Sequence, residues 1–156
     1  MIDLRLFVQE SLKIEGINRT ATPKEIEAHK EFLALDAITV EALEIFVGKI
    51  QPCTKLRCEV GMDVRVGDHS FCSAIGAGSI PPAGGKAVVF ELQLLLGRIS
   101  APNLTAYEAH IRYEQIHPFT DGNGRSGRVL WLWMMGGKAP LGFLHHWYYA
   151  SLSAGR

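Results

Sequence analysis

The stretch His117-Pro118-Phe119-Thr120-Asp121-Gly122-Asn123-Gly124-Arg125-Ser126-Gly127-Arg128 determines how the rest of the chain is interpreted. It joins a histidine, a carboxylate, a Gly-Asn-Gly turn and two arginines within twelve positions. Phosphoryl-type transfer needs a base, a metal ligand, a backbone cradle for anions and cationic side chains. The stretch therefore predicts a phosphate-handling site in a loop that leads into a helix.

The glycines of this stretch favour a backbone that binds anions. Gly122 and Gly124 allow positive φ angles and a close approach to a ligand. Successive N–H groups in such a turn form a concave anion site, and a helix N-terminus follows it directly. Arg125 and Arg128 lie three positions apart, so both guanidinium groups can face the same side. Since arginine at a helix N-terminus opposes the helix dipole, the pair indicates a bound polyphosphate.

The other polar residues of the stretch supply a metal ligand and a base. Asp121 would repel a phosphate unless a cation lay between them, and Mg²⁺ is bound by one carboxylate together with phosphate oxygens and water. His117 follows the preceding helix, because Pro118 disfavours a helical conformation there, and it can accept a proton at neutral pH. Phe119 alternates with polar residues, so it is expected to point into the core.

Helical periodicity and capping residues predict an all-α fold around this stretch. Thr22 and Thr39 are the expected N-caps of the second and third helices. Alternating apolar and polar residues at 60–75, around Gly67-Asp68, predict one short β-hairpin at about residues 61–73. The expected helices cover residues 2–15 with Gly16 as the stop, Pro23 to about Leu35, the segment between Thr39 and Pro52, 87–96, Asn103 or Thr105 to Ile116, Arg125 to about Met135, and a last one from about Pro140.

Composition and charge narrow the class of protein. The 156 residues are 47% apolar and 21% charged, as in a soluble globular protein, and one domain is expected to span residues 1–156. Sixteen basic residues balance sixteen acidic ones, so no long-range field would recruit nucleic acid or a membrane surface. Three cysteines without a C-x-x-C pair indicate free thiols in a reducing compartment. Because the sequence shows no signal peptide or membrane-spanning run, a cytoplasmic location is expected.

The pattern His-Pro-Phe-x-Asp-Gly-Asn-Gly-Arg-x-x-Arg resembles the signature of the Fic (Fic/Doc) domain at every position. The helices with one hairpin upstream of the signature also resemble the Fic core. The resemblance implies transfer of AMP from ATP, with Mg²⁺, to a Ser, Thr or Tyr hydroxyl of a target protein, which can be the chain itself. The hairpin would then align the target peptide by strand addition.

The resemblance also implies a role for each residue of the signature. In the Doc branch the second glycine position carries lysine and the activity is kinase-like, so Gly124 favours the AMP-transferring branch. The implied roles are His117 as the base for the target hydroxyl, Asp121 as the Mg²⁺ ligand, Asn123 with the Gly122 and Gly124 backbone as the phosphate cradle, and Arg125 and Arg128 as neutralisers of the β- and γ-phosphates.

A second motif lies near the N-terminus, in the helix expected at about residues 2–16. Ser11-Leu12-Lys13-Ile14-Glu15-Gly16 is similar to the inhibitory motif of self-repressed Fic proteins. Glu15 reaching Arg128 would form a bidentate, charge-assisted pair and remove the clamp for the γ-phosphate. ATP bound without that clamp would have a misplaced α-phosphate. Ser11 would hydrogen-bond near the same loop. The motif therefore predicts an autoinhibited enzyme.

Other functions are compatible with parts of the sequence. The same fold can perform another phosphate-group transfer or remove AMP from a modified protein. A regulatory module would bind the nucleotide without catalysis. Glu114-Gln115-Ile116-His117 is a Glu-x-x-His unit of the kind found in di-iron bundles, and His110 lies one turn earlier, as a zinc site would require. The chain has no second Glu-x-x-His unit, and Pro118 is expected to take His117 out of the helix.

Overall fold

The computed structural model describes residues 3–64 and 81–138 of the chain. Helices dominate these two ranges, which confirms the all-α prediction. The hairpin expected at about residues 61–73 lies outside the described residues except for 61–64, which form no strand. The helix expected from about Pro140 also lies outside them. The helices of the described ranges are α1 (Leu4–Ile14), α2 (Pro23–Leu33), α3 (Val40–Ile50), α4 (Lys86–Arg98), α5 (Ala106–Ile116) and α6 (Asn123–Met134).

Threonine caps begin three of these helices. The Thr22 hydroxyl accepts from the Glu25 amide while the Glu25 carboxylate accepts from the Thr22 amide, forming a capping box. Thr39 caps α3 through the amide of Ala42, as predicted, and Thr105 forms a second capping box at α5. Because each cap satisfies amides that the first helical turn leaves unpaired, the helix starts follow directly from the sequence.

Helix α6 is the centre of the fold. It packs against α1, α2, α3 and α5, and its residues from Asn123 to Leu132 are all buried. One face of α6 joins the main core through Val129 and Leu130, which are both 0% exposed. Another face packs against α1 through Trp131 and Leu132. The apolar run that predicted a buried helix from about residue 125 is therefore confirmed, with a start two residues earlier.

Helix α1 lies antiparallel to α6. Its first turns carry Phe7, which is 1% exposed and shares an apolar cluster with Trp131 of α6. Its end lies beside the start of α6, where Ser11 contacts Arg128. Gly16, with φ 73°, ends the helix as predicted, since glycine accepts the left-handed conformation. This packing brings the end of α1 to the signature loop.

No helix of the described ranges is long and apolar enough to cross a membrane.

Candidate active site

The signature loop begins where α5 ends. Ile116 is the last residue of α5, and His117 adopts a left-handed conformation with φ 50° and ψ 61°. Pro118 explains why α5 stops before His117, because a proline disfavours the right-handed helical region for the residue before it. Phe119 is 1% exposed, belongs to the main core and forms an antiparallel bridge with Leu56. Two predictions are therefore confirmed: His117 lies outside the helix, and Phe119 packs into the core.

The Asn123 side chain holds the loop in shape. Its Oδ1 accepts from the Phe119 amide at 2.8 Å, and its Nδ2 donates to the Phe119 carbonyl at 2.8 Å. The side chain is only 4% exposed. Both polar atoms therefore serve the loop backbone, and any contact of Asn123 with a phosphate is left to its backbone N–H.

The N-terminus of α6 has no side-chain cap from its own loop. Gly122 is the N-cap residue with φ 73°, and no side chain caps the helix there. Helix amides without a cap bind phosphates and carboxylates, because they carry unsatisfied N–H groups and the positive end of the helix dipole. Asp121 precedes this site, is exposed, and accepts from the Gly122 amide at 2.7 Å through Oδ1. A cation held by Asp121 would lie beside an anion at the helix start.

Arg128 binds the end of α1. Its guanidinium is fully buried; Nε donates to Ser11 Oγ at 2.8 Å, and Nη2 donates to the Ser11 carbonyl at 3.1 Å. Nη2 also donates to Glu15 Oε1 at 2.5 Å. The contact that the N-terminal motif predicts between Ser11, Glu15 and Arg128 is therefore present in the fold.

The Glu15 carboxylate lies against the first turn of α6. A Cβ atom at position 124 would overlap Glu15 Oε1 and would lie 3.0 Å from Arg128 Nη1, so only glycine leaves room for this contact. Burial opposes ionisation of Glu15, but the charge of Arg128, its hydrogen bond to Glu15 and the charge of Arg125 outweigh burial and lower the pKa. Glu15 is therefore a carboxylate at neutral pH, lying beside the uncapped start of α6.

Arg125 binds a different neighbour. Its Nη2 donates to Gln51 Oε1 at 2.9 Å and Nη1 approaches the Ile50 carbonyl at 3.5 Å, both at the end of α3. Burial is the main cause that lowers the pKa of Arg125, although its value stays far above neutral. The two arginines of the signature therefore join the loop to different helices, Arg128 to α1 and Arg125 to α3.

The His117 ring has the tautomer that a base requires. Nδ1 lies 3.2 Å from the Glu114 carbonyl, which can only accept, so Nδ1 carries the hydrogen and Nε2 keeps its lone pair. The side chain is 18% exposed, which leaves an approach for a ligand. Burial, with a smaller effect of the Arg57 charge, lowers the pKa of His117 below 6.5. The imidazole is therefore neutral and ready to accept a proton at pH 7.

Comparison with known proteins agrees with this geometry. The family model described as Fic/DOC family matches residues 50–135, more than half of the chain. The chain belongs to the Fic/DOC family. A similar curated protein is the protein adenylyltransferase Fic of Drosophila erecta, 30% identical over 133 residues that cover 76% of this chain and 27% of the relative. The chain thus spans about a quarter of that protein's length. No solved structure matches the chain.

The Fic family match covers the signature loop but not α1. It begins at residue 50, whereas Ser11 and Glu15 lie far upstream. The arginine that Glu15 contacts, Arg128, lies inside the match. The contact between α1 and α6 therefore joins a segment outside the family match to the Fic signature.

A buried carboxyl lies beside the His117 ring of this Fic domain. Glu114 is 0% exposed, and neither of its oxygens has a hydrogen-bond partner among the described residues. Oε1 lies 3.9 Å from His110 Nε2, and Oε2 lies 4.0 Å from His117 Nδ1. Burial raises the pKa of Glu114 to about 8 and lowers that of His110 to about 3. Both groups are therefore neutral at pH 7, and their contact is not an ion pair.

The described residues of this Fic domain contain no cluster of side chains for the zinc or di-iron alternatives. In residues 3–64 and 81–138, no group of three or more His, Cys, Asp or Glu side chains could hold a metal ion. A nucleotide-bound Mg²⁺ needs less from the protein, because phosphate oxygens and water supply most of its ligands. The carboxylate of Asp121 is exposed beside the uncapped helix N-terminus, so it could serve as the single protein ligand of such an ion.

One residue of the site has no signal in the sequence. Arg57 is 0% exposed, and its Nε donates to the His117 carbonyl at 2.7 Å. It lies between α3 and α4 in a segment without helical or strand periodicity, and no motif includes it. Only the presence of a charged residue before an apolar hairpin pattern could have drawn attention to it.

Proposed function

We propose that this chain is a protein adenylyltransferase that transfers AMP from ATP to a Ser, Thr or Tyr hydroxyl of a target protein. The observation that carries the proposal is the pairing of a neutral histidine with an uncapped helix N-terminus in one Fic loop. Such a pairing places a base next to an anion site, which phosphoryl-type transfer requires.

The proposed reaction balances without a further reactant. His117 Nε2 takes the proton of the target hydroxyl, and the hydroxyl oxygen attacks the α-phosphorus of ATP. The bond from the α-phosphorus to the bridging oxygen breaks as the new ester bond forms, and pyrophosphate leaves with that electron pair. The amides of the α6 N-terminus, with Arg125 and Arg128, would offset the charge that develops on the phosphates.

Asp121 is the residue that would hold Mg²⁺ with the nucleotide. Its carboxylate is exposed and lies one residue before the helix N-cap. When bound, the ion supplies positive charge to the phosphate oxygens and orients them.

We propose that Glu15 keeps this enzyme inactive. Its carboxylate lies against Gly124 and pairs with Arg128, so it competes with a phosphate for the same helix N-terminus and the same guanidinium. A γ-phosphate without its clamp leaves the α-phosphate out of line with the attacking oxygen, and such misplacement is costly in rate. Release of α1 from this contact would be the activating step.

The nature of the transferred group can be tested with ATP labelled at either the α- or the γ-phosphate. Glu15→Gly with Mg²⁺ and a soluble protein extract is expected to place α-label on protein, and wild type is expected to place less. Glu15→Gly/His117→Ala should place none. γ-Label alone on protein would contradict AMP transfer and favour a kinase. Loss of AMP from a pre-labelled target, without any gain, would favour AMP removal.

A matched glycine variant controls for the cost of a glycine at the helix end. Lys13 lies in the last turn of α1 and is exposed, whereas the recorded bonds of Arg128 to α1 go to Ser11 and Glu15. Lys13→Gly should leave transfer at the wild-type level. An equal rise in Lys13→Gly and Glu15→Gly would assign the activation to fraying of α1 rather than to loss of the carboxylate.

A further inference from the structure

Arg57 is a fully buried arginine in a segment without regular secondary structure. Its side chain is 0% exposed, although arginine is almost never fully buried without partners. Its backbone is also bound on both sides: the Arg57 amide donates to the Pro118 carbonyl at 2.9 Å, and its carbonyl accepts from the Gly85 amide at 2.9 Å. The residue therefore occupies a fixed position between the signature loop and the start of α4.

The guanidinium donates to four backbone carbonyls. Nε reaches the His117 carbonyl at 2.7 Å and Nη2 reaches the Ile116 carbonyl at 2.8 Å. Nη1 donates to the Pro82 carbonyl at 2.8 Å and to the Met62 carbonyl at 3.2 Å. A planar fork with five N–H donors can satisfy such a set, whereas a single ammonium group cannot reach all four.

The two chain segments at 62 and 82 meet at this side chain. Asp63 Oδ1 accepts from the Gly84 amide at 2.8 Å, and a Cβ atom at Gly84 would lie 2.6 Å from the Met62 carbonyl oxygen. The segments therefore approach each other so closely that only glycine fits. Burial lowers the pKa of Arg57 and the charge of Asp63 opposes that effect, so the guanidinium remains charged at neutral pH.

The contact with His117 falls on a strained residue. A left-handed conformation is strained for a residue with a Cβ, and His117 has φ 50°. The ring direction of His117 depends on this conformation, because the backbone angles fix where the Cβ atom points. Arg57 binds the carbonyl of His117 and the carbonyl before it, on both sides of the strained dihedrals.

We propose that Arg57 is a positioning residue for His117, which holds the base in its left-handed conformation and joins it to the segments at Met62 and Pro82. The proposal rests on the proposed function, in which His117 is the base. Arg57 reaches His117 only through the backbone, so it acts on the aim of the imidazole and not on the substrate.

The test is a comparison of Arg57→Lys with its parent, both in the Glu15→Gly background. Lysine keeps the positive charge and loses the fork. We expect kcat for AMP transfer to fall about 100-fold, the scale of a small misplacement of a reacting group, while the Kd for ATP stays unchanged. Arg112→Lys is the matched control: Arg112 is exposed on α5 and pairs with Glu91 at the surface, so its replacement should leave kcat unchanged.

A second measurement reports on His117 without the reaction. The Arg57 charge contributes to the lowered pKa of His117, after the larger effect of burial. NMR titration of the His117 ring should therefore give a higher pKa in Arg57→Gln than in wild type, and no such rise in Arg57→Lys. Changed ring shifts in Arg57→Lys at constant pKa would support a moved imidazole.

The outcomes separate this proposal from the proposed function. If Glu15→Gly transfers no AMP, the proposed function fails, and the ring shifts of His117 still test Arg57. If Glu15→Gly is active and its Arg57→Lys derivative is folded with unchanged kcat and ring shifts, the positioning role is wrong. If Arg57→Lys does not fold under assay conditions, the side chain serves the whole fold rather than His117, and the proposal is also overturned.

Discussion

At the scale of single residues, backbone carbonyls define the position of His117. The Glu114 carbonyl accepts from Nδ1, and the carbonyl of His117 itself accepts from Arg57. A hydrogen bond from Nδ1 to a carbonyl fixes the tautomer as firmly as a carboxylate would, without raising the basicity of the ring as strongly. The imidazole of His117 is therefore oriented by the fold and remains neutral at physiological pH.

The titration of His117 is the first prediction. Burial is the largest effect on its pKa and lowers it, because the charged imidazolium is the form that burial destabilises. NMR titration of the ring in the absence of ATP should therefore give a midpoint below 6.5, and the rate of AMP transfer should persist down to that midpoint. A midpoint above 6.5 would contradict the effect of burial on the pKa of the ring.

Glu114 gives a second prediction, on stability. Its folded pKa of about 8 lies above the unfolded value near 4.5, so the stability that depends on its neutral form is fully present below pH 4.5 and is lost as pH rises to 8. Glu114→Gln removes this loss. In urea unfolding, the difference in free energy of unfolding between the variant and wild type should rise by about 2–4 kcal/mol in favour of the variant from pH 4.5 to pH 8. A difference that does not change with pH would mean that Glu114 is charged in the folded protein.

At the scale of elements, the helices could be predicted from local signals and the contacts of the loop could not. Thr22-Pro23-Lys24-Glu25 carries its own cap and first turn, so α2 begins where the sequence places it. Arg57 shows the opposite case. Its partners are backbone carbonyls from separate parts of the chain, and carbonyls leave no pattern in the amino-acid sequence.

The contacts of Glu15 and Asn123 show the same contrast within the site. The contact between Glu15 and Arg128 could be predicted, because each residue belongs to a motif that is visible in the sequence. The inward turn of the Asn123 side chain onto Phe119 was not, since the signature fits a phosphate ligand equally well. Sequence patterns identify which residues form the site, whereas the packing of the loop decides which atoms face a ligand.

The start of α2 gives a third prediction. The hydrogen bond from Arg19 is the largest effect on the pKa of Glu25 and lowers it. Burial raises the pKa, the hydrogen bond from Thr22 lowers it further, and the resulting pKa is about 2. A depressed carboxyl pKa stabilises the fold above the unfolded value of 4.5, and this stability is lost as pH falls from 4.5 to 2. Glu25→Gln should cost about 1–2 kcal/mol at pH 7, since the Arg19 side chain is half-exposed and screened. The free energy of unfolding of Glu25→Gln should therefore fall less steeply than that of wild type as pH falls from 4.5 to 2. An equal fall in both proteins would contradict the ion pair.

At the scale of the whole molecule, α1 connects stability to the proposed regulation. The apolar contacts of Phe7 with Trp131 hold the first turns of α1, while Ser11 and Glu15 hold its end at Arg128. The end of α1 also belongs to the apolar cluster, because Leu12 is buried in it and Ile14 packs against it. Release of the proposed inhibition would therefore disturb apolar contacts as well as the pair with Arg128.

A fourth prediction follows from competition between Glu15 and ATP. A ligand stabilises a protein according to its affinity for the folded state, and wild type must first displace a carboxylate from Arg128. ATP with Mg²⁺ should therefore raise the melting temperature of Glu15→Gly more than that of wild type or of Lys13→Gly. Equal shifts in all three proteins would show that Glu15 does not compete for the phosphate site.

The most direct test of the central claim is the intact mass of Glu15→Gly after incubation with ATP and Mg²⁺, followed by peptide mapping. Loss of the carboxylate frees the helix N-terminus and Arg128 for phosphates, so the variant should gain the mass of one or more AMP groups on hydroxyl side chains, far more than wild type. Glu15→Gly/His117→Ala should gain none. Glu15→Gly that binds ATP but gains no AMP, or gains it equally without His117, would contradict an autoinhibited adenylyltransferase with His117 as its base.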